Sequence, residues 1–83
     1  MDRTELQDRV CAVLAQNLAV AKDQVKPESR FKEDLDADSL DLVEAVLALE
    51  EEFGLSIPEE EMEDVKTVGQ AIDLVAQKLG VAA

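Results

Sequence analysis

Apolar residues recur three and four positions apart in three separate segments, and no stretch alternates apolar with polar as a half-buried strand would. That periodicity restricts the chain to helices packed through their stripes, an all-α fold. Leu6, Val10, Val13, Leu14 and Leu18 form the first stripe, and Val68, Ala71, Ile72, Val75 and Leu79 form the last. With 83 residues, the chain holds one domain, 1–83, and its small core requires well-capped helices.

The helix ends are marked by chemistry. Thr4 with Gln7 has capping-box spacing, which predicts a first helix over residues 5–18. Asp38 is placed to cap a second helix over 39–53, and Gly54 suits the left-handed position just past its end. Pro58 opens a short helical segment to about residue 63. Thr67 with Gln70 repeats the capping-box spacing at the start of the last helix, which Gly80 stops. Between the first two helices lies a long connection, 19–38. Pro27 and Ser29 mark a turn in it, and Val25, Phe31 and Leu35 are its expected anchors.

The second helix carries two apolar faces. At about 100° per residue, Leu42, Val46, Leu49 and Phe53 form a core stripe. Leu40, Val43 and Leu47 fall on another side, about 130° away. A purely structural helix needs no second stripe unless the first helix or the long connection covers it. Glu44, Glu50 and Glu51 lie beside this stripe, the arrangement of a docking surface in which apolar residues give affinity and acids give orientation.

Eight basic residues against twenty acidic ones give a net charge of −12. Nucleic acid and anionic membrane would repel such a chain, whereas basic protein surfaces would attract it; from charge alone, acids that only confer solubility account for it equally well. No membrane-length apolar run and no signal peptide is visible, and the single Cys11 has no partner for an internal disulfide, so the cytoplasm is the default location. Cys11 lies at the edge of the first stripe, as a partly buried, inert thiol would.

Ser39 opens the second helix within Leu35-Asp36-Ala37-Asp38-Ser39-Leu40-Asp41, in a chain without histidine. A serine hydrolase needs a base, usually histidine, so no catalytic residue is assigned. Helix capping is the plainer role for this serine. Asp38 can cap instead, which leaves the Ser39 hydroxyl free for modification by another protein. Asp34, Asp36 and Asp38 match the first acidic spacings of a calcium loop. The sixth position is Ser39 where glycine is needed, and the twelfth is Ala45 where glutamate is needed, so no metal site is assigned.

At these residues the chain resembles the acyl carrier proteins. The resemblance rests on Asp38-Ser39-Leu40 and extends through Ala37, Asp41, Val43-Glu44, Ala48 to Phe53, Ile57-Pro58, the acidic run to Asp64 and Thr67-Val68. It implies a small four-helix bundle of three main helices and one short one, with a long first connection. It implies that Ser39, flanked by Asp38 and Leu40, receives 4′-phosphopantetheine from coenzyme A through a holo-carrier synthase (phosphopantetheinyl transferase). The arm's thiol then holds acyl groups as thioesters for type II fatty-acid synthesis enzymes with basic docking surfaces. Leu40, Asp41, Val43, Glu44, Leu47, Glu50 and Glu51 correspond to partner contacts, with Met62 and Glu63 on the short helix. Phe31, Val46, Leu49, Ile57, Met62, Val65 and Ala71 correspond to an acyl pocket. A monomeric, non-catalytic carrier is implied.

The family usually has glycine where this chain has Asp36. Aspartate tolerates left-handed backbone better than most residues. A carrier for a polyketide or other specialised pathway is the alternative within the class, and peptide-synthesis carriers usually have a glycine-rich run that is missing here. From another class, an unmodified acidic helical adaptor would account for the charge but not for the free serine and its flanks.

Overall fold

The computed structural model describes residues 2–81. Its helices are α1 (Arg3–Leu18), α2 (Ser39–Phe53), α3 (Glu59–Met62) and α4 (Val68–Leu79), with a 3₁₀ turn at Lys22–Gln24. Among the described residues the only β-type pairing is an isolated antiparallel bridge between Arg30 and Thr67. The chain is therefore an all-α bundle of three main helices and one short helix, as its periodicity and resemblance indicate.

α1 starts earlier than its capping pattern suggests. Asp2, not Thr4, is the N-cap, and its carboxylate accepts from the Glu5 N–H at 2.8 Å. A carboxylate at the positive end of a helix gains from both the hydrogen bond and the dipole. Thr4 consequently lies inside the first turn. Leu6, Val10 and Leu14 are buried as expected, but Cys11 and Ala15 join them, while Val13 and Leu18 are only half-buried. The buried face is turned toward Cys11 because the 3₁₀ turn and Val25 lie against that side, where Cys11, Lys22, Asp23 and Val25 share a cleft.

α1 packs mainly against α2 and also against α4. Arg9 clamps the first pair, with its guanidinium 2.6 Å from the Glu52 carboxylate and 5.3 Å from the centre of the Phe53 ring. Arg3 pairs with Asp73 on α4. Seven side chains form the most deeply buried centre: Leu6, Val10 and Leu14 of α1, Leu49 of α2, and Val68, Ile72 and Val75 of α4. Burying each contributes about 1.5–3 kcal/mol of transfer free energy. Ala76 completes the buried face of α4, whereas Leu79, expected in its stripe, is 37% exposed. Leu79 occupies the last position of the helix, beyond the turns that face α1.

The long connection is pinned rather than loose. Val25, Phe31 and Leu35 are buried as expected, together with Ala37. Ser29 is the buried polar residue of the turn; its hydroxyl donates to the Gln24 carbonyl and accepts from the Lys26 N–H, both at 3.1 Å. The connection then crosses the start of α4 by three backbone hydrogen bonds: Phe31 N–H to the Lys66 carbonyl at 3.1 Å, Val68 N–H to Ser29 at 2.9 Å, and Gly69 N–H to Pro27 at 2.8 Å. Gly69 is required by this crossing, since a Cβ there would lie 2.9 Å from the Pro27 carbonyl oxygen. Asp36 has φ 54°, the left-handed conformation for which glycine is the usual residue. That reversal lets Leu35 and Ala37 both turn inward while Asp36 stays exposed.

Candidate functional site

The site is organised by the N-terminus of α2. The Asp38 carboxylate accepts from the Asp41 N–H at 2.9 Å, and the Asp41 carboxylate accepts from the Asp38 N–H at 3.2 Å. This is a reciprocal capping box made by two aspartates, in place of the serine or threonine with glutamate or glutamine that usually makes one. Both acids sit where the helix dipole favours negative charge. Because carboxylates make both bonds, the Ser39 hydroxyl stands outside the cap. Ser39 is exposed at the first helical position.

Ser39 also lies on the wall of a cavity of about 700 Å³. Phe31 from the connection, Leu42 and Val43 from α2, Met62 from α3 and Val65 supply its apolar lining. Of the residues expected to form an acyl pocket, Phe31, Met62 and Val65 line this cavity. Val46, Leu49, Ile57 and Ala71 do not, because Leu49, Ile57 and Ala71 are committed to the core and Val46 packs against it. Leu42, expected in the core stripe of α2, is half-buried at the cavity instead, and within that stripe only Leu49 is fully buried, beside Ala45.

The second stripe of α2 is uncovered. Leu40 is 65% exposed, Leu47 54% and Val43 38%, so neither α1 nor the long connection packs over it. Glu44 and Glu51 are exposed alongside. Glu50 is not free to the same degree: it is half-buried, and its carboxylate accepts from the Ile57 N–H at 2.9 Å, holding the chain that leaves α2. Asp41 is likewise engaged in the cap. Met62 is half-buried and Glu63 exposed, both at the cavity.

Two of the three aspartates that resemble a calcium loop, Asp34 and Asp38, have other partners. The Asp34 carboxylate accepts from the Arg30 N–H at 2.7 Å and from its guanidinium at 3.3 Å. The Arg30 backbone N–H, followed by the guanidinium, holds the Asp34 carboxyl below the usual range. Asp38 is spent on the cap. Among the described residues, no group of three or more His, Cys, Asp or Glu is placed to hold a metal ion. Cys11 is buried, and that burial pushes its thiol above its ordinary pKa, opposed by Lys22 and reinforced by Asp8. No described helix is long and apolar enough to cross a membrane.

Two features of the site lie outside what sequence reasoning assigns, the capping role of Asp41 and the basic residues of the cavity wall. The Asp41 half of the capping box has a signal, its three-residue spacing from Asp38, but the residue types fall outside the common pattern. Arg30, Lys32 and Lys66 also line the cavity. No spacing announces them, because the Arg30–Thr67 bridge brings two distant segments together.

The arrangement suits a covalently attached flexible group. The hydroxyl that would carry it is solvent-accessible and outside the cap, and a cavity opens beside it. Comparisons with known proteins agree with this geometry. The chain matches the family described as "Phosphopantetheine attachment site" over residues 8–75. It is similar to the acyl carrier protein of Chlorobium phaeovibrioides, 47% identical over 78 residues that cover 94% of this chain and 100% of the relative. The acyl carrier protein of Thermosynechococcus vestitus is 48% identical over 79 residues, covering 95% and 98% of the two chains. That of Rubrobacter xylanophilus is 48% identical over 77 residues, covering 93% and 95%. Matched almost end to end by such relatives and over residues 8–75 by that family, the chain belongs to the acyl carrier protein family.

Proposed function

We propose that residues 1–83 form one acyl-carrier domain in which Ser39 bears 4′-phosphopantetheine, presented by Asp38 and Leu40, and that the loaded protein delivers acyl groups to type II fatty-acid synthesis enzymes. The observation that supports this most directly is the exposed Ser39 hydroxyl, left out of the Asp38–Asp41 cap and placed at the cavity wall. The reading makes the chain a cosubstrate rather than an enzyme, monomeric and cytoplasmic.

In loading, the Ser39 oxygen forms the new phosphoester bond. Its proton passes to a base on the transferase, since no histidine exists in this chain to take it, and the nucleotide half of coenzyme A leaves. The arm, once attached, supplies a thiol that carries acyl groups as thioesters. The chain's own residues do the rest. The double cap holds the backbone around Ser39 in one orientation. Leu40, Val43 and Leu47 offer apolar contact, and Asp41, Glu44, Glu50, Glu51 and Glu63 orient basic partners, with Met62 at the edge of that face. Short cargo rests against Phe31, Met62 and Val65. Longer cargo reaches Val46, Leu49, Ile57 and Ala71 only by parting side chains that are now in contact.

The test is intact mass before and after incubation with coenzyme A, magnesium and a broad-specificity phosphopantetheinyl transferase. A gain of one phosphopantetheine unit, absent in Ser39→Ala with its helical spectrum intact, is the expected result. No gain in a folded sample that starts without the group would reject the reading.

A further inference from the structure

The cavity beside Ser39 differs in charge from the rest of the molecule. In a chain with a net charge of −12 and eight basic residues, Arg30, Lys32 and Lys66 all line this one cavity. They come from segments 34 or more residues apart, aligned by the Arg30–Thr67 bridge and by the Phe31 N–H to Lys66 carbonyl bond. Elsewhere carboxylates claim four of the other five cations, Lys26 being the exception: Arg3 pairs with Asp73, Arg9 with Glu52, Lys22 with Asp8, and Lys78 with Glu61. Arg30 itself is held by Glu33 and Asp34.

Lys32 and Lys66, by contrast, are exposed and lie within ion-pair distance of no carboxylate among the described residues. This holds even though Glu59 and Glu63 stand on the α3 side of the same cavity. Glu33 also lines the cavity but lies within ion-pair distance of Arg30. Two ammonium groups left without an ion-pair partner, beside the apolar side chains of Phe31, Leu42, Val43, Met62 and Val65, form a site for an anion at the end of an apolar chain.

We propose that Lys32 and Lys66 make the cavity selective for acyl cargo that ends in a carboxylate, the half-thioesters of dicarboxylic acids. The methylenes of such a cargo lie against Phe31, Met62 and Val65, and its terminal carboxylate meets the two ammonium groups. This rests on Ser39 bearing the arm. A plain acyl chain of equal length gains only the apolar contact. The arm's own phosphodiester is a second anion that the same lysines could hold, and the experiment separates the two.

The full chain is loaded by the transferase from coenzyme A, from butyryl- and hexanoyl-coenzyme A, and from their carboxylate-ended counterparts, succinyl- and adipoyl-coenzyme A. Mass confirms each product, and the thermal midpoint is read by circular dichroism at low and high salt. Expected is a midpoint about 2–6 °C higher for adipoyl than for hexanoyl protein at low salt, shrinking as salt rises. The Lys32→Met/Lys66→Met variant should lose that difference, and Lys32→Arg/Lys66→Arg should keep it. Equal midpoints for both cargoes, or a difference that survives in the methionine variant, would overturn the proposal. So would a lysine-dependent gain that is complete on attachment of the unacylated arm, which would assign the lysines to the phosphodiester. Failure of the wild-type chain to gain mass would instead overturn the carrier reading beneath it.

Discussion

Three helices end in the same way, with one difference that can be measured. At Ala19, Gly54 and Gly80 the backbone turns left-handed, with φ of 57°, 64° and 74°. In each case the next residue donates its N–H to the carbonyl five positions back: Val20 to Ala15 and Leu55 to Glu50, both at 3.1 Å, and Val81 to Ala76 at 2.9 Å. In each case that next residue is also a partly buried hydrophobe packed on the core. The motif is therefore common to the three ends, but only α1 makes it with a residue that has a Cβ. A left-handed L-residue costs about 1–2 kcal/mol, and glycine gives back about 0.5–1 kcal/mol through the greater freedom of its unfolded chain. Ala19→Gly should therefore stabilise the fold by about 0.5–1 kcal/mol, about 2–8 °C in a domain of this size.

Gly54→Ala is the mirror experiment. Nothing lies within 4 Å of a Cβ built there, so it should lose a similar amount through the backbone alone. With no tryptophan or tyrosine in the chain, the assay is urea and thermal unfolding followed by helical circular dichroism, with the urea slope unchanged. An Ala19→Gly protein no more stable than the parent, or a neutral Gly54→Ala, would refute the argument that left-handed strain at a helix end is stored in α1 and relieved in α2 and α4.

Gly69→Ala should act in the opposite sense to its helix propensity. Alanine gains about 1 kcal/mol within a helix, but its Cβ would sit 2.9 Å from a backbone oxygen of Pro27 that Gly69 itself holds by a hydrogen bond. Overpacking of about 1–3 kcal/mol should win, for a net loss of up to about 2 kcal/mol in urea unfolding, and a stabilised variant would show that the connection yields freely. Asp34 carries a pH signature. Its folded pKa lies below the ordinary value, so its contribution is present above the unfolded pKa of about 3.9 and is lost as pH falls through the folded value. The midpoint difference between the parent and Asp34→Asn should therefore be steady near neutral pH, begin to shrink below about pH 4 and vanish once the pH is below the folded value; a difference independent of pH would place the Asp34–Arg30 contact outside the stability of the fold.

Much of α2 was legible because its signals agree. Asp38, the apolar spacing and Gly54 each mark the same boundaries, and the helix runs from Ser39 to Phe53 as they require. The free serine followed from the same cap. α1 was less legible because Asp2 and Thr4 offer competing caps two residues apart, and only the geometry of the Glu5 N–H decides between them. The strain at Asp36 was readable from the residue type glycine would normally occupy. The strain at Ala19 was not, since alanine carries no signal of positive φ. The cavity was read only in part. Phe31, Met62 and Val65 are there, but which aliphatics face a cavity and which face the core depends on how helices sit in space. Lys32 and Lys66 enter it through a backbone bridge that no local pattern encodes.

The distribution of packing bears on how such a cavity can serve. The fully buried side chains lie mainly where α1 meets α2 and α4, and no residue of α3 is buried. α3 is four residues long, too short to be stable alone, and its described ion pair to another helix joins Glu61 to Lys78 at 2.6 Å. The cavity therefore has one firm side, made by α2 and the pinned connection, and one side made by the least supported helix. Displacing α3 would break a partly exposed ion pair and part Met62 from its neighbours, whereas widening the cavity from the other side would disturb Leu49 and the centre of the core. Local opening follows the lower cost. A cargo too large for the cavity should therefore enlarge it on the α3 side first, leaving the Asp38–Asp41 cap beside Ser39 and the exposed α2 stripe in place.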